Sequence, residues 1–387
     1  MTKAAVAQTD LHDSSAGEAL GRQIFAQLDG EAPDTVIVFA SPKNDYAALL
    51  SALSAECSPR TLVGCSSAGE FTSAADGVGM ACAVALRAPE MRFAVSIGRG
   101  LREDRERAAA ELVAGFRGVG AHEYRHRTAL VLTDALAGYA DDLVERLTLL
   151  TAGAYRFVGG GAGDDAHFQR THVFWGTEAV TDAVVALEIL SNKPIGIGVR
   201  HGWQPASPPL RVTEAEGLRL ASLNAAPAAE VYADHAEATQ QPFDAADPMP
   251  FFLHNVLGVR TDAGYRLRVP LGVDGAGGIA CAAEVPAGAT AHIMGTGVEP
   301  AAAAAALAAR DAVSQLGGAK PAVALFFDCV ATRLRLGQEF GLELASLTKE
   351  LGTASYAGFN TYGQIARAEG QFSGFHNCTA VVCVIPE

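Results

Sequence analysis

The apolar positions of the chain fall into three similar sets. Each set begins with an uninterrupted apolar run, 35–40 (TVIVFA), 129–133 (ALVLT) or 322–327 (AVALFF), followed by a helix-like stretch. Each helix leads to a glycine-rich segment, 63–70 (VGCSSAGE), 158–164 (VGGGAGD) or 357–364 (AGFNTYGQ). A second apolar strand closes each set, at 79–86, 182–190 and 379–385. Gly64, Gly159 and Gly358 open the three segments, Gly69, Gly163 and Gly363 end them, and Glu70, Asp164 and Gln364 follow. A repeat of this kind governs the fold, because each copy is one structural unit. The glycine turns are expected to expose backbone amides, which suits them to holding a ligand better than to housing a nucleophile.

The remaining periodicity fills in the architecture. Residues 14–29 place Leu20, Ile24, Phe25 and Leu28 on one helical face, and 44–56 and 101–117 also read as helices. Strands are expected at 61–65, 92–97, 171–175, 180–190 and 195–200, with short paired strands near 210–223. Pro227 sits where a helix over 228–238 would start. Beyond a loop at 240–250, strands at 251–259, 265–270, 278–284 and 289–294 follow one another across turns such as Asp274-Gly275. Helices at 299–316 and 334–351 flank the last apolar runs, the first built on an alanine tract that favours helix. Strands in direct succession predict an α/β (α+β) protein of mixed, mostly antiparallel sheets with helices on their outer faces. The expected organisation is a lead-in over 1–34, a first domain over 35–225 and a second over 226–387.

Composition narrows the partners. The chain has 387 residues, 49% of them apolar, enough for more than one core. Lys plus Arg number 29 against 43 Asp plus Glu, a net charge of −14, and no basic block occurs. That argues against nucleic acid or an anionic membrane surface. No apolar run reaches the ~18 residues of a membrane-spanning helix. The first residues lack the apolar core of a secretory signal, and seven cysteines without a CxxC pair agree with buried thiols in a reducing cytoplasm.

Several short motifs invite chemistry. His122-Glu123-Tyr124-Arg125-His126 matches the zinc-protease HExxH, which works only on a helix. Gly120 precedes it and a strand begins at Thr128, so the segment reads as a surface connection. Gly64-Cys65-Ser66-Ser67-Ala68 resembles a nucleophile elbow with Ser66 in the nucleophile's place, or alternatively offers Cys65 as nucleophile with His376 as base. An elbow needs a helix immediately afterwards, whereas a loop and a strand follow here. Gly159-Gly160-Gly161-Ala162-Gly163 lacks the spacing of a nucleotide-binding turn, yet successive amides also make an anion nest. The ten histidines form no metal set.

The segments LVGCSSAGEF (62–71), RLRVPLGVDGAGGIACAAEVPAG (266–288) and GFNTYGQI…FHNCTAVVCVI (358–385) resemble proteins with paired FIST domains, bacterial sensory modules also found in F-box proteins. The resemblance implies a non-enzymatic signal-input protein that binds a small ligand such as an amino acid. It also implies output through a separate partner, a histidine kinase or a cyclic-nucleotide enzyme. Some members of the family resemble haem-binding nitric-oxide sensors; haem b here would take an axial histidine from His235, His254, His201 or His376. A thiol or serine hydrolase at Cys65–Ser67 is the enzymatic alternative. The expected ligand residues are Gly64, Cys65, Ser66, Ser67, Gly69, Glu70, Gly159, Gly160, Gly161, Gly163, Asp164, Tyr362, Gly363, Gln364, His376 and Asn377, with Arg268 as a carboxylate partner. Gln364 stands where the family's turn usually carries an acid.

Overall fold

The computed structural model describes residues 1–120, 123–367 and 374–387. The first unit runs β1 (Lys3–Thr9), α1 (Asp13–Gln27), β2 (Thr35–Ala40), α2 (Tyr46–Cys57), β3 (Thr61–Ser66), a hairpin of β4 (Glu70–Thr72) and β5 (Asp76–Gly77), and β6 (Ala81–Arg87). The second repeats the order: β7 (Arg92–Arg99), α3 (Arg105–Ala114), β8 (His126–Thr133), α4 (Ala140–Leu150), β9 (Arg156–Gly161), a hairpin of β10 (Val173–Trp175) and β11 (Glu178–Val180), and β12 (Ala183–Ser191). The third begins with β13 (Gly196–Arg200) and is then interrupted by an insert.

The insert carries β14 (Gln204–Pro205), β15 (Leu210–Glu216), β16 (Arg219–Leu223), β17 (Ala226–Pro227), α5 (Ala228–Thr239) and α6 (Met249–Phe252). It continues with β18 (Val256–Thr261), β19 (Gly264–Arg268), β20 (Pro270–Val273), β21 (Ile279–Cys281) and β22 (Thr290–Gly295), and these strands form one nine-stranded antiparallel sheet. The third unit resumes with α7 (Val298–Ser314), β23 (Pro321–Cys329), α8 (Val330–Leu336), α9 (Phe340–Leu351), β24 (Ser355–Thr361), a hairpin of β25 (Gln364–Arg367) and β26 (Phe375–His376), and β27 (Ala380–Pro386).

Each unit builds most of one six-stranded sheet, and all three sheets share one plan: β1-β6-β2-β3-β10-β11, β7-β12-β8-β9-β25-β26 and β13-β27-β23-β24-β4-β5. In each, the two long central strands are parallel and the others run antiparallel, as β2 with β3 and β6. The last two strands of each sheet come from another unit. The hairpin that follows β3 joins the third sheet, the one after β9 joins the first, and the one after β24 joins the second. The exchange closes a ring.

The apolar runs are continuous because both faces of these sheets are covered. Ile37 and Phe39 face a shared central core with Leu130, Leu132, Leu325 and Phe327. Phe39 stacks on Phe359 at 4.5 Å and meets Phe327 edge-on at 6.2 Å. The alternate residues face the helices: Val36 and Val38 meet α1 and α2, Val131 meets α3 and α4, and Phe326 meets α7 and α9. Asp45 and Asp104 cap α2 and α3 by accepting the N–H groups of Ala48 and Arg107. The expected mixed sheets with outer helices are thus present.

Some element expectations need correction. Gly159, Gly160 and Gly161 belong to β9 rather than to a turn, and Gly64 and Gly358 likewise lie inside β3 and β24. Residues 251–255 are not strand: Phe251 and Phe252 close α6, where their rings pack on Tyr232 and Phe243. The helix expected over 334–351 is split between α8 and α9 at Gly337, whose φ is +52°. The lead-in holds a strand, β1, as well as its helix. His126 starts β8, and residues 123–125 are not helical; His122 lies outside the described residues.

Candidate functional site

The three crossovers from β3, β9 and β24 to their exchanged hairpins meet at one hub. Gly64, Gly159 and Gly358 occupy the same register, opposite Val38, Val131 and Phe326. A Cβ on any of them would stand about 2 Å from the carbonyl oxygen of that partner residue, so only glycine fits. Gly69 and Gly363 turn the chain with φ of +129° and +121°.

The expected exposed amides are instead consumed within the hub. Gly163 N–H donates to Ser66 O at 2.9 Å, Gly161 N–H to Gly363 O at 2.8 Å, Ala68 N–H to Asn360 O at 3.0 Å, and Asn360 N–H to Gly69 O at 2.8 Å. The side chains are engaged as well. Ser66 Oγ accepts from His172 N–H at 2.9 Å. The Ser67 hydroxyl donates to Glu70, whose other oxygen accepts from Met80 N–H at 3.0 Å. Burial pushes the Glu70 carboxyl up to about 8. Asp164 accepts from the Tyr362 hydroxyl and from the N–H groups of Phe168, Gln169 and Arg170. Cys65 is fully buried, and that burial raises its thiol well above the ordinary range.

Gln364 is fully buried, with its amide oxygen accepting from Thr361 Oγ1 and the Cys329 N–H, and its nitrogen donating to the His376 and Thr379 carbonyls. An ionised Glu has no donor for those two carbonyls, which accounts for the amide here. His376 bonds Ala366 O at 3.2 Å, and burial presses its ring down to about 4.

Two hollows flank the hub on the side of the insert. The first is polar, with a volume of about 420 Å³, between the start of α4, β18, β19 and residues 284–289. Arg268 lies in its wall, buried, with Nη2 2.7 Å from Asp141 Oδ2 and Nε 2.7 Å from Glu284 O. Arg266, more open, also reaches Asp141 at 3.1 Å. Asp141 Oδ1 and Glu284 Oε2 are buried without a partner. Burial raises the Glu284 carboxyl, and the negative charge of Asp141 adds to the rise. Both are acceptors that the protein itself leaves unmet.

The second hollow is an apolar cavity of about 190 Å³ between the hub and the inserted sheet. Of the expected residues, Tyr362 and Asn377 line it, beside Leu253, Val269, Cys329 and Val330. Neither hollow is lined by any of the histidines proposed for haem. His201 bonds Tyr265 O at 3.1 Å, and the unpartnered Nε2 of His235 lies near the Phe251 ring in a packed cluster. His254 occupies the stretch between α6 and β18. His201 lines a further hollow of only about 10 Å³, far less than a porphyrin occupies.

The structure therefore gathers the crossover residues into a packed hub and leaves Arg268 beside an open cleft. Asp141, Arg266 and Glu284 were missed by sequence reasoning. The alternation of Arg266 and Arg268 in RLRVP and the acidic pair Asp141-Asp142 at a helix start were the signals available for the cleft.

Family comparison agrees with this architecture. A model of the FIST N domain matches residues 34–226, and a model of the FIST C domain matches residues 228–367. No curated protein matches the chain. Among the described residues, no helix is long and apolar enough to cross a membrane.

Proposed function

The chain belongs to the FIST family of sensory domains in signal transduction, and from that premise we propose that it binds a small amino-acid-like ligand in the polar cleft of Arg266, Arg268, Asp141 and Glu284. The observation that carries this reading is that Asp141 Oδ1 and Glu284 Oε2 are buried and unpartnered in the wall of a cleft where Asp141 pairs with two guanidinium groups. A ligand ammonium satisfies the acids, and a ligand carboxylate pairs with the more open Arg266. Arg268 is already fully engaged and acts by fixing Asp141.

The reading is of a cytoplasmic binding protein rather than an enzyme. Cys65 and Ser66, the elbow residues, are buried and serve the hub. The cleft joins α4 of the second unit to the inserted sheet, so a ligand bridging them alters how the two surfaces meet. A separate histidine kinase or cyclic-nucleotide enzyme reads that change.

Calorimetric titration with amino acids, each paired with its deaminated and decarboxylated analogue, is the test. Loss of the amine, or Glu284→Gln, is expected to weaken binding about tenfold or more, the value of a hydrogen bond to a charged group. A ligand that binds as well without its amine, or that ignores Glu284→Gln, overturns the assignment to this cleft.

A further inference from the structure

The apolar cavity between the hub and the inserted sheet shares no lining residue with the polar cleft. Protein interiors hold few voids larger than a water molecule, so about 190 Å³ of open space walled by side chains calls for an occupant. No charged side chain lines it. Its wall instead brings together the rings of Phe168 and Tyr362, stacked with centroids 4.5 Å apart, and the sulfur-bearing side chains of Met249, Cys281 and Cys329. One amide stands among them. Asn377 is buried, its Nδ2 donating to His376 O at 3.2 Å and its Oδ1 accepting from the Val269 N–H at 3.4 Å. An amide nitrogen carries two hydrogens, and the second is left for a guest.

We propose that this cavity is a binding site for a neutral, single-ring aromatic molecule carrying one hydrogen-bond acceptor. Size sets the number of rings. An apolar cavity of about 150 Å³ holds benzene, so one of about 190 Å³ accommodates a ring with a small substituent. The wall sets the charge, because a carboxylate or an ammonium would be desolvated there without a counter-ion. The stacked rings and the sulfur atoms favour an aromatic guest over an aliphatic one, since ring–ring and sulfur–ring contacts add to plain burial. Asn377 sets the acceptor, which takes its remaining N–H.

The mouth of the cavity is built on a strained segment. Asp165, Ala166 and Phe168 have φ of +55°, +64° and +53°, a conformation that costs non-glycine residues energy and collects at ligand clamps. Asp164 holds the segment by accepting the Phe168 N–H at 2.8 Å, and it also accepts the Tyr362 hydroxyl, so one carboxylate fixes both rings of the wall. Asp164 is thereby a positioning residue for this site. Phe168 and Leu334 stand exposed at the rim, which gives an apolar guest a way in.

Acetophenone, toluene and benzoate, each titrated into the full chain carrying methyl-labelled methionine, test the proposal by magnetic resonance. Acetophenone is expected to bind and to shift chiefly the methyl signal of Met249, one of five methionines. Toluene, which has no acceptor, should bind about fivefold more weakly, the value of one neutral hydrogen bond. Benzoate should bind at least about tenfold more weakly. Ala331→Leu fills the cavity from the start of α8 and is expected to abolish acetophenone binding while thermal unfolding shows the fold intact. The Met249 signal of the parent protein is read without any variant, so a substitution that fails to fold does not decide the outcome. No saturable Met249 shift, toluene or benzoate binding as tightly as acetophenone, or a folded Ala331→Leu protein that still binds overturns the proposal. The amino-acid ligand assigned to the polar cleft stands or falls by its own titration.

Discussion

The Gly163 N–H donates to the Ser66 carbonyl at 2.9 Å, so the crossover of the second unit hangs directly on that of the first. Gly161 and Gly363 join the second to the third in the same way. The hub therefore tolerates no added atom at its close approaches. Gly159→Ala is expected to destabilise the fold by about 3 kcal/mol, because a Cβ would lie 2.1 Å from Val131 O at a φ of +141°. Denaturant unfolding measures this; a loss under about 0.5 kcal/mol, the range of ordinary surface changes, would contradict it.

Glu70 gives stability a pH slope of known sign. Its folded carboxyl titrates at about 8, raised chiefly by burial, against an ordinary 4.5. Between those values the folded state keeps a proton that the unfolded chain releases, so stability is greatest below 4.5 and falls as pH rises to 8. Glu70→Gln is expected to remove a slope of up to about 1.4 kcal/mol per pH unit from that window. Parallel unfolding curves for the variant and the parent protein across the window would rule this out.

Ligand binding in the polar cleft should be visible as stability. At ~100 times the dissociation constant, a ligand of the folded state adds about 2.7 kcal/mol. Asp141→Asn is expected to abolish most of that gain. An undiminished thermal shift would place the ligand elsewhere.

Signalling through a partner demands reciprocity. A partner that responds to ligand must change ligand affinity in return, by roughly 5- to 150-fold. Titrations with and without the proposed partner kinase measure the factor, and identical affinities would leave binding without output.

His126→Ala is expected to leave metal content unchanged, since His126 begins β8 and residues 123–125 offer no helical turn. One equivalent of zinc, lost on substitution, would contradict that.

The three apolar runs and the glycine register were legible in the sequence because both are local properties of strands covered on two faces. The destination of each short strand after its turn was not. Nothing near Glu70–Thr72 says that its partner is Phe359, at the other end of the chain. For the same reason the turn amides looked free: their acceptors, such as Ser66 O for Gly163, belong to another unit. The cleft depends on Asp141 meeting Arg268, a contact fixed only by tertiary packing. β1 escaped notice because its buried positions are mostly alanine, a residue that signals helix as readily as strand.

The strand exchange also sets a timetable for the nascent chain. Strand β4 is synthesised early, yet the edge it pairs with, β24, emerges only after most of the protein has been made. Until then the first unit waits with an unpaired hairpin, and β3 waits for β10. Contacts so distant along the chain make folding slow and leave sticky strand edges uncovered in the meantime. The finished ring hides those edges, so the molecule's greatest exposure to aggregation falls during its own synthesis.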